Sequence, residues 1–185
     1  FYFDTKVKGI VGVTPSFGSE EFNDHHFHYG YFIYAASILA RYDDDFRVQY
    51  GNMVNLLVAD IANYRPNDTL PLRRSFDVYF GHSWASGSSP FADGNNQESS
   101  SEAINAWVAV GLWARQTRNP ALEDEAAWLL SNETAATSAY WMNYDKKTPP
   151  YSAGYGHSVV SLNWGGKRDY ATFFSADPRA MLGIQ

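Results

Sequence analysis

The sequence predicts an all-α fold of stacked helical hairpins. Two observations predict it. Apolar residues recur at helical spacing in four separate stretches. A short turn joins the helices within each pair, and a long Pro-, Gly- and Ser-rich stretch, residues 65–98, separates the pairs.

The first helix is expected over residues 25–42, through Phe27, Tyr31, Tyr34 and Ile38 and through Phe32, Ala35, Ala36 and Leu39, with Asn23 or Asp24 as its cap. The second covers residues 46–63 through Tyr50, Val54, Leu57, Val58 and Ile61, and ends at Arg65-Pro66-Asn67-Asp68. Before it, Asp43-Asp44-Asp45 resembles half a calcium loop but lacks the Gly and the closing Glu, so it reads as a solvated helix end. The 65–98 stretch exceeds ordinary loop length, which marks it as functional. A third helix is expected over 100–117 through Ala103, Ala106, Trp107, Val110, Trp113 and Ala114, broken by Asn119-Pro120. A fourth runs over 120–143 through Leu122, Ala126, Leu129, Glu133, Ala136 and Tyr140. From Lys146 the chain reads as Gly- and aromatic-rich loop, and Asp177-Pro178 opens a short helix over 177–185. Periodicity alone leaves two architectures open: a four-helix bundle, or about a third of a closed toroid of paired helices.

The 185 residues amount to one domain, 45% apolar, with a formal net charge of −6. That charge argues against nucleic-acid and anionic-membrane partners, whose phosphates need clustered Lys and Arg, and against a polyuronate substrate. A neutral substrate fits better. Cysteine is absent, which removes disulfides, thiolate metal sites and a cysteine nucleophile. No apolar run reaches the roughly 18 residues of a membrane span. Phe1-Tyr2-Phe3 opens without Met or a signal peptide, and Met181-Leu182-Gly183-Ile184-Gln185 stops inside an apolar stretch. The chain is therefore expected to be a piece of a longer protein, a partial domain over 1–185 truncated at both ends.

Two clusters carry the chemistry. One is Asn23-Asp24-His25-His26-Phe27-His28-Tyr29-Gly30 and the other Asn95-Asn96-Gln97-Glu98-Ser99-Ser100-Ser101-Glu102. Each sets a carboxylate among rings and amides at the mouth of a helix. Two carboxylates from separate segments are the minimum apparatus for hydrolysing a glycosidic bond. Asp24 reads as a helix cap, or as an acid whose crowded setting raises its pKa against the pull of the helix dipole. His28, four residues on, shares its face and bonds the carboxylate or a sugar hydroxyl, or else is a partly buried helix histidine. Ser99-x-x-Glu102 matches a capping box. Glu98 lies outside the box with no helical task, which makes it the better functional candidate. His25 and His26 point in different directions, so no metal site and no cofactor is expected. Trp84, His82, Tyr29, Asn95, Asn96 and Trp107 are candidates for lining a sugar groove; Trp107, on a helix, fits the core equally.

These two blocks, with the intervening Gly81-His82-Ser83-Trp84-Ala85-Ser86-Gly87, resemble the signature blocks of glycoside hydrolase family 81. The resemblance covers most of residues 9–115. It implies an (α/α)6 barrel preceded by a β-sandwich domain, and endo-hydrolysis of β-1,3-glucan with inversion and without a metal. It implies Asp24 as general acid, Glu98 as general base, and His28 and Glu102 as supporting site residues. Secretion and further domains of the same chain are implied as well. Three rivals stand beside it: a non-catalytic carbohydrate-binding module, a metal-dependent hydrolase using the histidines, and a helical-toroid glycosidase acting on another neutral glycan.

Overall fold

A computed structural model describes residues 1–6, 8–182 and 184–185. Four long helices form its frame: α1 (His25–Tyr42), α2 (Asp44–Ala62), α3 (Ser100–Gln116) and α4 (Pro120–Thr137). A short α5 spans Pro178–Leu182. The last residues of the expected 177–185 helix leave it, and Gly183 lies outside the described residues.

Two helix starts follow the sequence chemistry. The Asp43 carboxylate accepts from the Phe46 amide at 2.9 Å and caps α2. Asn119 accepts from the Leu122 amide at 3.2 Å, with Pro120 in the first turn of α4. The other two starts differ from expectation. Asp24 has a left-handed backbone, φ 59°, and its side chain makes no capping bond. Ser99 makes none either; its hydroxyl donates to the Ile184 carbonyl at 3.2 Å, so the capping box does not form. The fourth helix also ends early, passing at Ser138–Met142 into a wider π-helical turn that carries Trp141 into a small core with Tyr144, Tyr151 and Val160.

The all-α expectation is corrected in one respect: the fold is helix-rich but holds, among the described residues, three small antiparallel sheets. Strand β1 (Tyr2–Asp4) pairs with β2 (Gly9–Val11), and β3 (Phe76–Asp77) with β4 (His82–Ser83). The third sheet orders β5 (Asn96–Gln97), β6 (Leu162–Trp164) and β7 (Arg168–Asp169), with Gln97 opposite Asn163. Ladders of two or three residues are too short to leave an alternating pattern. They nevertheless order the 65–98 stretch and tie the Gly-rich tail to it.

The helices pack in a row, α2 on α1, α1 on α3, α3 on α4. Their core holds Ile33, Leu57, Ile61, Val110, Trp113 and Leu129. The row is tightest at Gly30, where a Cβ would meet Ala106 Cα and Cβ at 2.9 Å. Glycine there lets α1 and α3 approach backbone to backbone. Both helices begin at the same end of the row, so their first two turns are neighbours: the Tyr31 hydroxyl donates to Glu102 Oε1 at 3.0 Å. Large apolar side chains of α1 and α2 stay exposed on its outside, among them Phe32, Leu39, Val48 and Leu56. Among the described residues no helix is long and apolar enough to cross a membrane.

Candidate active site

The neighbouring starts of α1 and α3 form the floor of an open cavity of about 580 Å³. Asp24, His28, Glu98 and Glu102 all line it, with Asn96. Phe17, Phe27, Phe91, Phe173 and Phe174 wall it.

Asp24 is fixed through its backbone. Its amide donates to the Ala85 carbonyl and its carbonyl accepts from the His28 amide, both at 2.9 Å. Phe22, two residues earlier, is also left-handed, φ 66°. Such conformations are uncommon outside glycine and need a surrounding that enforces them. His25 supplies part of it: Nδ1 lies 2.6 Å from the buried Asp60 carboxylate and Nε2 lies 2.8 Å from the Ser19 carbonyl. Glu98 leaves the short strand β5 just ahead of α3.

Burial and neighbouring charge in the half-enclosed cavity set the proton affinities of Asp24 and Glu98. Burial, then the charges of Glu98 and Glu102, push Asp24 up to about 7 from 3.8. Burial and Glu102 raise Glu98 as well. Burial lowers His28, with Glu102 opposing and His25 assisting. The arrangement therefore offers an acid that holds its proton near neutrality beside a second carboxylate, in a space open to an extended ligand.

The remaining sequence candidates for lining a groove do not line this cavity. Trp107 is 0% exposed and donates from Nε1 to Glu133 Oε2. Tyr29 is 2% exposed and its hydroxyl donates to the Ile10 carbonyl. His82, also 0% exposed, bonds the Ser83 carbonyl through Nδ1 and faces Asn163 through Nε2. Trp84 lies off the cavity, with Nε1 donating to Asp77 and its ring edge-on to His82. The Asn95 amide is spent on Ser86, accepting from its N–H and donating to its carbonyl. In each case the polar tip that would meet a sugar is already satisfied inside the fold.

Sequence reasoning missed the phenylalanines. Phe173 and Phe174 stand 58% and 69% exposed, and Trp164 backs the wall edge-on to both Phe91 and Phe173. The available signal was two adjacent large rings in a polar loop. The histidines diverge: His26 is buried against Gln97 while both His25 nitrogens are engaged. Among the described residues no group of three or more His, Asp or Glu side chains is arranged to hold a metal ion.

A model of the glycosyl hydrolase family 81 C-terminal domain matches residues 1–185. The chain belongs to glycosyl hydrolase family 81. This family 81 chain is 50% identical over 188 residues to a glucan endo-1,3-beta-D-glucosidase of Acetivibrio thermocellus, covering 100% of the chain and 24% of that relative. It is 40% identical to one of Thermobifida fusca, with the same coverage of 100% and 24%. A mutant of a family 81 glycoside hydrolase from Clostridium thermocellum superposes with a TM-score of 0.92 at 44% identity, over 100% of this chain and 26% of that structure. The family 81 chain thus spans about a quarter of the length of the curated relatives it matches.

Proposed function

We propose that this chain carries the acid/base centre of an endo-β-1,3-glucanase that hydrolyses its substrate with inversion. The observation that carries the reading is the shared cavity: Asp24 and Glu98, from the starts of two adjacent helices, line one open space walled by phenylalanine rings. The activity follows the names of its relatives, several of them glucan endo-1,3-beta-D-glucosidases.

Asp24, whose proton is retained to about pH 7, donates it to the glycosidic oxygen as the C1–O bond breaks. Glu98, ionised, takes a proton from a water that attacks C1 from the opposite face. His28 and Glu102 support the pair, Glu102 through its repulsion of Asp24 and His28 from the same face of α1. Asn96 offers an amide to sugar hydroxyls, and the phenylalanines stack on the sugar faces. Two hairpins in a row with apolar flanks exposed on α1 and α2 fit an arc of an (α/α)6 barrel that the rest of the parent chain would complete. We further assign the parent to the secreted polysaccharide-degrading enzymes. One relative is named a primary septum glucanase of Schizosaccharomyces pombe.

The test separates the two roles in the full-length enzyme. Asp24→Asn should cripple hydrolysis of linear β-1,3-glucan but spare much of the turnover of a substrate with an activated leaving group, which needs little protonation. Glu98→Gln should harm both alike. The new reducing end should appear first as the α-anomer by NMR. Equal losses for Asp24→Asn on both substrates, or a nascent β-anomer, would sink the assignment.

A further inference from the structure

We propose that Gln97 is a positioning residue for Glu98, anchored through Ser83 to the buried carboxylate of Glu133. The inference rests on the reading of Glu98 as the base. Among the described residues no hydrogen bond to the Glu98 carboxylate adds to the burial and charge that set its proton affinity. A carboxylate without a direct partner is aimed by its backbone and by whatever holds that backbone.

Gln97 does the holding. It is 0% exposed, and its amide grips both sides of the neighbouring turn. Nε2 donates to the Ser83 carbonyl at 2.9 Å and lies 2.8 Å from the Ser83 hydroxyl. Oε1 accepts from the Ser99 amide at 3.1 Å. The side chain of the residue before Glu98 thus bonds the backbone of the residue after it, and Glu98 forms the apex of a closed ring. Gln185 adds a bond from Nε2 to the Glu98 carbonyl at 2.9 Å.

Ser83 is itself fixed. Its amide donates to Glu133 Oε2 at 2.8 Å, and the same oxygen accepts from Trp107 Nε1 at 3.1 Å. Glu133 is 0% exposed, and among the described residues its other oxygen has no hydrogen-bond partner. An internal carboxylate is a costly way to fill space, since an apolar side chain would pack there without desolvation. What it supplies is direction: a chain of bonds from α4 through β4 and β5 to the turn that carries Glu98. Buried hydrogen bonds are strong and directional in a low local dielectric, so this chain favours one geometry.

The experiment uses the full-length enzyme carrying Gln97→Met, which keeps the length of the side chain and removes its amide. Glu98→Gln is the reference. On linear β-1,3-glucan, kcat for Gln97→Met should fall by about 100-fold, the scale of an ångström of misplacement. KM should stay at the wild-type value. Azide should restore part of the turnover in both variants, because an anionic nucleophile needs no base. Its nitrogen bonds to C1 as the C1–O bond breaks, the Asp24 proton goes to the departing oxygen, and a glycosyl azide is released. Unchanged kinetics, a matched change in KM, or no response to azide would overturn the proposal. Should Gln97→Met fail to fold, Ser83→Ala decides. It removes only the hydroxyl, which accepts from Gln97 and bonds Glu133, so a smaller kcat loss with the same azide response supports the proposal and wild-type kinetics overturns it. A fully active Glu98→Gln would overturn the base assignment itself, and is distinguishable because it requires no result from Gln97.

Discussion

The same substitution at two helical glycines should change stability in opposite directions. Gly30 in α1 and Gly51 in α2 are both buried. An added Cβ at Gly30 would lie 2.9 Å from Ala106 Cα, a backbone carbon that cannot rotate aside, whereas ordinary contact begins at 3.4 Å. Gly30→Ala must therefore push α3 away by half an ångström or more. Overpacking of that kind costs about 1–3 kcal/mol. Backbone obstruction places it in the upper half of that range, about 2–3 kcal/mol. Alanine's better helix propensity returns about 1 kcal/mol. The net is a loss of about 1–2 kcal/mol, or a fall of about 2–8 °C in thermal midpoint for a domain of this size. At Gly51 the nearest atom is Trp113 Cζ2 at 3.9 Å, an ordinary contact. Gly51→Ala should keep the whole propensity gain and raise the midpoint by about 2–4 °C. Calorimetry of the wild-type chain and the two variants reads both signs. A midpoint for Gly30→Ala at or above wild type would refute the claim that α1 and α3 meet backbone to backbone.

Two further outcomes follow from the buried carboxylates. Asp24 titrates at about 7 when folded and ordinarily at 3.8, so between those values the folded chain keeps a proton that the unfolded chain has lost. Its contribution to stability therefore declines as pH rises through that window. Asp24→Asn has no such term and suits a left-handed backbone, so its midpoint relative to wild type should climb from about pH 4 to about pH 8. A pH-independent difference would contradict the raised pKa. Trp107→Phe deletes one of the two donors to Glu133 Oε2, which should cost about 1–3 kcal/mol in urea unfolding. Because the ring lies in the core, KM for glucan should not move, and a raised KM would return Trp107 to the groove.

Much of the scaffold was legible because its signals are long or local. Each of the four helices runs 17 to 19 residues, enough turns for periodicity to stand out. Asp43, read as part of a solvated helix end, and Asn119, read as a helix break, cap α2 and α4 with their own side chains, chemistry that acts within three residues. The β-ladders escaped because two residues carry no period. The tryptophans misled for another reason: an indole suits a sugar groove and a core equally well. At Trp107 the helical spacing that predicted α3 already pointed to burial, and the structure follows the spacing. Phe173 and Phe174 escaped because nothing local links them to residues 24 or 98. The antiparallel pairing of β5 with β6 brings the tail beside the cavity, and such pairing is a property of the whole fold.

The position of Asp24 left two opposing effects unresolved at the level of sequence, and magnitudes now decide between them. A helix start favours an ionised carboxylate by about 0.3–1 kcal/mol when exposed and by up to about 2 kcal/mol when partly buried, at most about 1.5 pH units. Capping would add amide donors and lower the pKa further. Burial and the charges of Glu98 and Glu102 act the other way, and the result is a pKa of about 7 against an ordinary 3.8. The left-handed backbone is what lets burial prevail. At φ 59° the Asp24 side chain makes no bond to the first amides of α1 and faces the cavity instead. Had it capped the helix, its carboxylate would accept N–H bonds and be ionised at neutral pH, unable to protonate a leaving group. On this reading the uncommon conformation at Asp24, held by the Ala85 carbonyl and by the His25–Asp60 pair behind it, converts a helix cap into a general acid.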